Sequence, residues 1–319
     1  MAKSLQEYLA WLDQRSELIW PRPPAPKPLK ATPYLKPLSG IRAIVWSIYG
    51  TLLRIDGGRL QHLHPQPLRM QIALEKTIEE FNMWHSMSRK PGAPWEYMLQ
   101  QYKRVLDGER VKPSKRRGDL REVDSIMIWG KLIDRLIRNE YEYDVDTYGQ
   151  LGDFAEKVAY FFHANLQGVA ATDHAVETLR QVAAGGMRQG LLDDGQSFTT
   201  EQLLRALRQQ APVRSLGEFM TASATAISTA IGVRKPSPSL FTAGFAPLLH
   251  QGMDPNNILY ISHRLEDDLA AARKSGVKTA LYAADAGSCH VEPAQLRDPD
   301  MKPDRLLTDI RQIREILDI

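Results

Sequence analysis

Ile41-Arg-Ala-Ile-Val-Trp-Ser-Ile-Tyr-Gly-Thr-Leu-Leu53 is the stretch from which the rest of the chain is read. Ile41 to Trp46 concentrates β-branched and aromatic residues behind Ser39-Gly40 and a proline-dense segment, the pattern of a short buried strand. The run stops at Ser47. Gly50-Thr51 then permits a sharp turn that leaves Ser47 and Tyr49 at the strand's carboxyl end, where open parallel sheets bind their ligands.

The chain around this strand has 319 residues, enough for one large or two modest domains. Apolar residues make up 43% and charged residues 25%, ordinary values for a folded globular protein. A net charge of +3 gives no argument for a nucleic-acid or membrane partner, and neither is expected. Cys289 is the only cysteine, so no internal disulfide can form, which fits a reducing compartment. No apolar run approaches the ~20 residues that cross a bilayer, and Met-Ala-Lys-Ser-Leu-Gln-Glu lacks the apolar core of a signal peptide. A cytoplasmic protein is expected.

Ser4 can cap a helix running to about Ile19, with Leu5, Leu9 and Leu12 at helical spacing. Trp20 to Pro28 is so rich in proline that it forbids helix and ladder alike and reads as an extended tether. From about Arg59 to Asn165 the pattern is helical throughout, with segments over 68–84, 94–106, 119–143 and 151–164 and no strand expected. Trp84, Trp95 and Trp129 read as packing within this helical region. The basic stretch 111–118 reads as a solvated loop. Beyond Val169 strands and helices alternate, with strands expected at 187–192, 218–222, 257–262 and 277–282. Helices are expected at 172–184, 200–210, 237–250, 266–275 and 304–317. That alternation implies right-handed crossovers and a parallel sheet covered on both faces.

At its first strand the chain resembles the haloacid dehalogenase (HAD) superfamily, whose opening motif is a hydrophobic strand followed by Asp-x-Asp-Gly-Thr, or Asp-x-Tyr-Gly-Thr in the dehalogenase branch. Here the frame reads Ser47-Ile48-Tyr49-Gly50-Thr51. Three further motifs follow in order. Gly186 to Gln196 fits the second, with Asp193 at the hydroxyl position and Asp194 after it. Ser228 to Phe241 fits the third, with Lys235 before a proline. Leu259 to Gly276 fits the fourth, with Ser262-His263 replacing Gly-Asp and Asp268 retained. The resemblance implies an α/β fold: a Rossmannoid HAD-like core with its parallel sheet covered by helices on both faces, plus an all-helical cap domain. Residues 39–54 and 166–319 would form the core, 55–165 the cap inserted after the first strand, and 1–38 an amino-terminal helix and tether.

The same resemblance makes Ser47, Tyr49, Asp193 and Lys235 the positions of the catalytic motifs. It makes Gly50, Thr51, Asp194 and His263 ligand-contacting positions, and Asp268 a metal-site position. The family's leading aspartate attacks as an ionised carboxylate, whereas a serine hydroxyl is neutral at pH 7 and needs a base. The motif-four aspartate helps hold magnesium, a hard cation that selects oxygen; an imidazole at His263 suits softer metals. Lys235, which in the family neutralises charge beside the phosphate, is free here to pair with Asp193. Each residue also has a plainer account: Asp193-Asp194-Gly195 reads as a turn in its own right, and Asp268 as an acid in the first turn of a helix. Strand order in the family would also set Ser47, His263 and Asp267 or Asp268 near one another, the residue types of a serine-hydrolase triad.

These readings lead to an expected hydrolase-like protein without the aspartate-nucleophile phosphatase or dehalogenase chemistry, binding a small anionic molecule or a protein partner in the core–cap cleft. No cofactor is expected, and magnesium only if activity is retained. The alternatives are an active hydrolase with a non-standard nucleophile and an interaction module acting through the amino-terminal arm.

Overall fold

A computed structural model describes residues 2–87 and 92–319. Its centre is a six-stranded, all-parallel sheet. In chain order the strands are β1 (Ala43–Trp46), β2 (Arg188–Asp193), β3 (Thr225–Ile227), β4 (Ile258–Ser262), β5 (Lys278–Tyr282) and β6 (Arg305–Leu307). They lie in the order β6-β5-β4-β1-β2-β3. The leading strand is therefore central, with Trp46 in register with Leu191 on one side and Ile261 on the other. Its four residues are all buried, because helices cover both faces of the sheet. One apolar layer gathers Ile44, Trp46, Leu191, Leu203 and Ile261; the opposite layer gathers Val45, Leu192, Phe241, Tyr260 and Leu281.

Between β1 and β2 the chain leaves the sheet to build a helical layer from α2 (Pro67–Glu80), α3 (Pro94–Arg110), α4 (Ser125–Ile137) and α5 (Leu151–Leu166). These helices have their own core of Phe81, Tyr102, Trp129, Phe154 and Phe162. Trp129 is fully buried there and Trp95 packs against its margin, while Trp84 stands half exposed rather than packed inside. The two connections to this layer pair with each other, Leu53–Arg54 antiparallel to Ala170–Ala171.

The helix α1 (Leu5–Asp13) carries a capping box between Ser4 and Glu7. It places Tyr8, Leu9 and Leu12 in the core of the helical layer. It is shorter than the expected run to Ile19. The proline-rich chain then crosses to the far edge of the sheet, where Tyr34 pairs with Leu306 of β6 through bonds of 2.9 and 3.2 Å. The stretch 111–118 is mostly exposed.

Three expectations over 119–317 are corrected. Leu120–Arg121 is a short strand, antiparallel to Val233–Arg234 of the core, and α4 begins only at Ser125. Leu216–Glu218 forms a 3-10 turn, with the strand displaced to Thr225–Ile227. The closing segment opens with β6 and turns helical only at Ile313–Leu317 after a 3-10 turn.

Candidate functional site

Because β1 is flanked by β2 and β4, the residues that follow or end these strands share one edge of the sheet. Ser47 lies just past β1, Asp193 ends β2 and Ser262 ends β4. Lys235 enters from the segment after β3, directly behind the short strand Val233–Arg234. The Ser47 hydroxyl is 3.0 Å from Asp193 Oδ1 and 3.3 Å from Lys235 Nζ. Lys235 Nζ donates to Asp193 Oδ1 and to Asp268 Oδ2, each at 2.6 Å. Asp268 Oδ2 also accepts from the Ser262 hydroxyl at 2.5 Å and the Tyr260 hydroxyl at 3.1 Å. All these groups are buried. Asp193-Asp194-Gly195 is thus more than a turn: its first residue ends a core strand and joins an internal ion network.

The second oxygen of Asp193 has its own partners. It accepts the backbone N–H groups of Ile48 at 2.9 Å and Tyr49 at 2.6 Å. Two amides and an ammonium converge on this one carboxylate, the arrangement that would receive an anion's oxygens. The side chain of Asp193 itself fills the place.

The charges settle accordingly. Burial works against the Lys235 ammonium, but Asp193 and Asp268 outweigh it and hold that group well above the usual lysine range. Burial would raise Asp268, yet Lys235 and Arg264 bring it down to about 2. Arg264 also pairs with Asp194 at 3.2 Å and with Asp267. Asp194 takes the Lys235 backbone N–H at 2.7 Å and lines the space above.

Other expected site residues face elsewhere. The Tyr49 ring points into the core, where its hydroxyl bonds Gln202 at 2.7 Å and Thr199 at 3.1 Å on the helix Thr199–Arg208. His263 lies buried over Gly50 and Gly58, and burial lowers its imidazole to about 3, so it is neutral. Its Nδ1 has no hydrogen-bond partner among the described residues. A Ser47–His263–Asp relay does not form: the serine bonds Asp193 and Lys235, and Asp268 bonds Lys235, Ser262 and Tyr260. Gly50 holds a φ of +76°, and a Cβ there would collide with the His263 ring. Thr51 is buried, and its hydroxyl has no hydrogen-bond partner among the described residues.

The donor set departs from what magnesium requires, a near-octahedral shell of oxygens that includes carboxylates. Ser47 offers a neutral hydroxyl and His263 a nitrogen. Asp268 has one oxygen saturated by three donors and the other 3.6 Å from the Arg264 guanidinium. Among the described residues no group of three or more His, Cys, Asp or Glu is set to hold a metal ion.

Above this network, between core and helical layer, lies a cleft of about 690 Å³. Sequence reasoning missed the residues that close it. Gln196 bonds the Val123 carbonyl at 3.0 Å and the Ser125 N–H at 2.8 Å, and the Leu120 N–H donates to Ser237 Oγ at 2.7 Å. Glu122 reaches across to Ser228 at 2.5 Å; burial, then Asp194, push its carboxyl up to about 7. A Glu amid arginines inside a helix-rich stretch gives no local signal of such a role. Tyr260 and Ser262 were legible as strand residues but not as partners of Asp268.

Comparison with known proteins agrees with the fold. Residues 232–313 match the HAD-hydrolase-like family model. No curated protein matches the chain in sequence. The structure is similar to 2-haloacid dehalogenase from Pseudomonas syringae pv. Tomato DC3000, at 18% identity and a TM-score of 0.53 over 87% of this chain and 98% of that one. The HAD-hydrolase YfnB from Bacillus subtilis, solved with magnesium, aligns at 17% identity and a TM-score of 0.45, covering 88% and 99%. A predicted phosphoglycolate phosphatase from Haemophilus somnus aligns at 14% and 0.45, covering 88% and 99%. No helix among the described residues is long and apolar enough to cross a membrane.

Proposed function

We propose that this chain, which belongs to the haloacid dehalogenase superfamily, binds a ligand in its core–cap cleft and has given up the superfamily's aspartate-ester chemistry and its magnesium. One observation carries the reading: Asp193 accepts the Ile48 and Tyr49 amides and the Lys235 ammonium, so a side chain of the protein holds the contacts a substrate anion would need. An incoming phosphate would meet a carboxylate, and displacing it would leave a buried charge without its partners. Ser47 adds to the case, since no carboxylate stands where the ester would form.

The rival, an active hydrolase with a non-standard nucleophile, draws on the same contact read differently: the Ser47 hydroxyl lies 3.0 Å from a carboxylate that could take its proton. A phosphomonoester assay with and without magnesium separates the two. The expected outcome is no turnover above background in either condition. Magnesium-dependent turnover abolished by Lys235→Ala would defeat the proposal. Restoring acids with Ser47→Asp and His263→Asp, together with Asp193→Thr, is expected to bring back magnesium binding.

A further inference from the structure

The cleft carries a second set of cations that the buried network does not use. Five arginines line it: Arg59, Arg110, Arg121, Arg234 and Arg264. Two are already paired, Arg121 with Glu109 at 3.2 Å, a carboxylate it shares with Lys112 and Lys131, and Arg264 with Asp194 and Asp267. Among the described residues Arg110 pairs only with the exposed Asp107, 4.0 Å away. Among the described residues the side chains of Arg59 and Arg234 form no ion pair and no hydrogen bond, and both residues are exposed. Arg234 directly precedes Lys235. Extended backbone sends successive side chains to opposite sides, and here Lys235 is buried in the network while Arg234 borders the cleft.

The carboxylates of the cleft compensate these cations only in part: Glu122 lies within electrostatic reach of Arg234, but burial holds its carboxyl towards the neutral form. Asp194 is committed to Arg264 and to the Lys235 amide, and Glu122 to Ser228 and the Val123 amide. Arg59 follows the first motif, Arg110 ends a cap helix and Arg234 belongs to the core strand that pairs with the cap's Leu120–Arg121. Three separate elements therefore aim charge at one space, whose volume of about 690 Å³ suits an organic ligand of nucleotide size.

From this we infer that the cleft holds an organic polyanion, one with two or more phosphate or carboxylate groups, gripped by Arg59, Arg110 and Arg234 and not by Lys235. Guanidinium forks bind such oxyanions in bidentate fashion, so recognition needs no bridging metal. The inference rests on the ligand-binding reading above and moves the anion's place from the motif residues to the cleft arginines.

Calorimetric titration of the full chain with pyrophosphate, ADP and citrate, in chelator, tests it. Pyrophosphate and ADP report phosphate as the source of charge, citrate carboxylate. The expected result is saturable one-site binding of at least one probe, weakened about tenfold or more by Arg59→Ala and by Arg234→Ala. Ser47→Ala, and Arg117→Ala on the exposed basic loop, should leave it unchanged. Absence of binding by all three probes at millimolar concentration overturns the inference. So does an equal loss in the Arg117 variant, which would mean diffuse charge attraction. Binding that needs added magnesium, or falls with Ser47→Ala but not with the arginine variants, also overturns it. The phosphomonoester assay reads the broader proposal independently: turnover there refutes that proposal, whereas loss of the arginine effect without turnover refutes this one alone.

Discussion

Lys235 is the residue on which the buried network balances. Two carboxylates share its ammonium at 2.6 Å each, and none of the three is open to water. Removing the cation leaves like charges buried together, so Lys235→Met is expected to cost about 3–5 kcal/mol in urea unfolding. Ser47→Ala should cost no more than about 1 kcal/mol, because Asp193 keeps its two amides and the lysine. The network also sets a pH response. Asp268 titrates at about 2 in the fold against an ordinary 3.8, so its contribution is complete above that value and is lost as pH falls towards 2. Glu122 acts in the opposite sense. Held at about 7 against 4.5, it keeps its proton in the fold while the unfolded chain ionises, so it draws stability away as pH rises from 4.5 to 7. Glu122→Gln should therefore gain stability relative to the parent as pH rises across that window, as read by unfolding midpoints; a pH-independent difference would contradict the assignment. The sequence announced Ser47, Asp193, Lys235 and Asp268 through the motif frame. It did not announce the two amides of Ile48 and Tyr49, because backbone donors leave no trace in side-chain identity.

At the scale of elements, the turn after β1 and the seam between cap and core carry the argument. Gly50→Ala meets two obstacles, a left-handed φ and the His263 ring. Its destabilisation should be partly relieved by adding His263→Ala, which removes the collision and leaves the backbone cost. Equal destabilisation in the single and double variants would show that the ring does not matter. The seam pairs Leu120–Arg121 with Val233–Arg234 and is reinforced by Gln196. Amide exchange at Glu122, whose N–H bonds the Gly232 carbonyl at 3.1 Å, and at Ser125 should be slow in the parent and faster in Gln196→Ala. The seam was illegible because a two-residue strand has no period to detect. β3 and β6 escaped for a related reason: each has three residues, and β6 opens on the charged Arg305. Their strand character comes from neighbours such as β5 and Tyr34, not from propensity. The longer apolar strands β1, β4 and β5 were readable because burial on both faces writes itself into consecutive residues.

For the whole molecule, the amino-terminal arm ties distant parts together. Tyr8 and Leu12 are buried in the cap's core, and Tyr34 covers the open edge of the sheet at β6. Removing residues 1–38 would expose both, so the truncated chain is expected to melt at lower temperature and to aggregate through the bared edge. An unchanged melting temperature would show the arm to be a separable module. Fold class was legible because alternation of strands and helices survives errors of several residues at each boundary. The chemistry was legible only as departures from a motif frame, since replaced residues say what was lost and not what fills the space. The most direct measurement is a crystal of the chain soaked with magnesium and tungstate as a phosphate mimic. Asp193 is expected to remain on the Ile48 and Tyr49 amides, with no metal beside Asp268 and any oxyanion at the cleft arginines. Tungstate seated on those two amides with magnesium against Asp268 would contradict a site closed by Asp193.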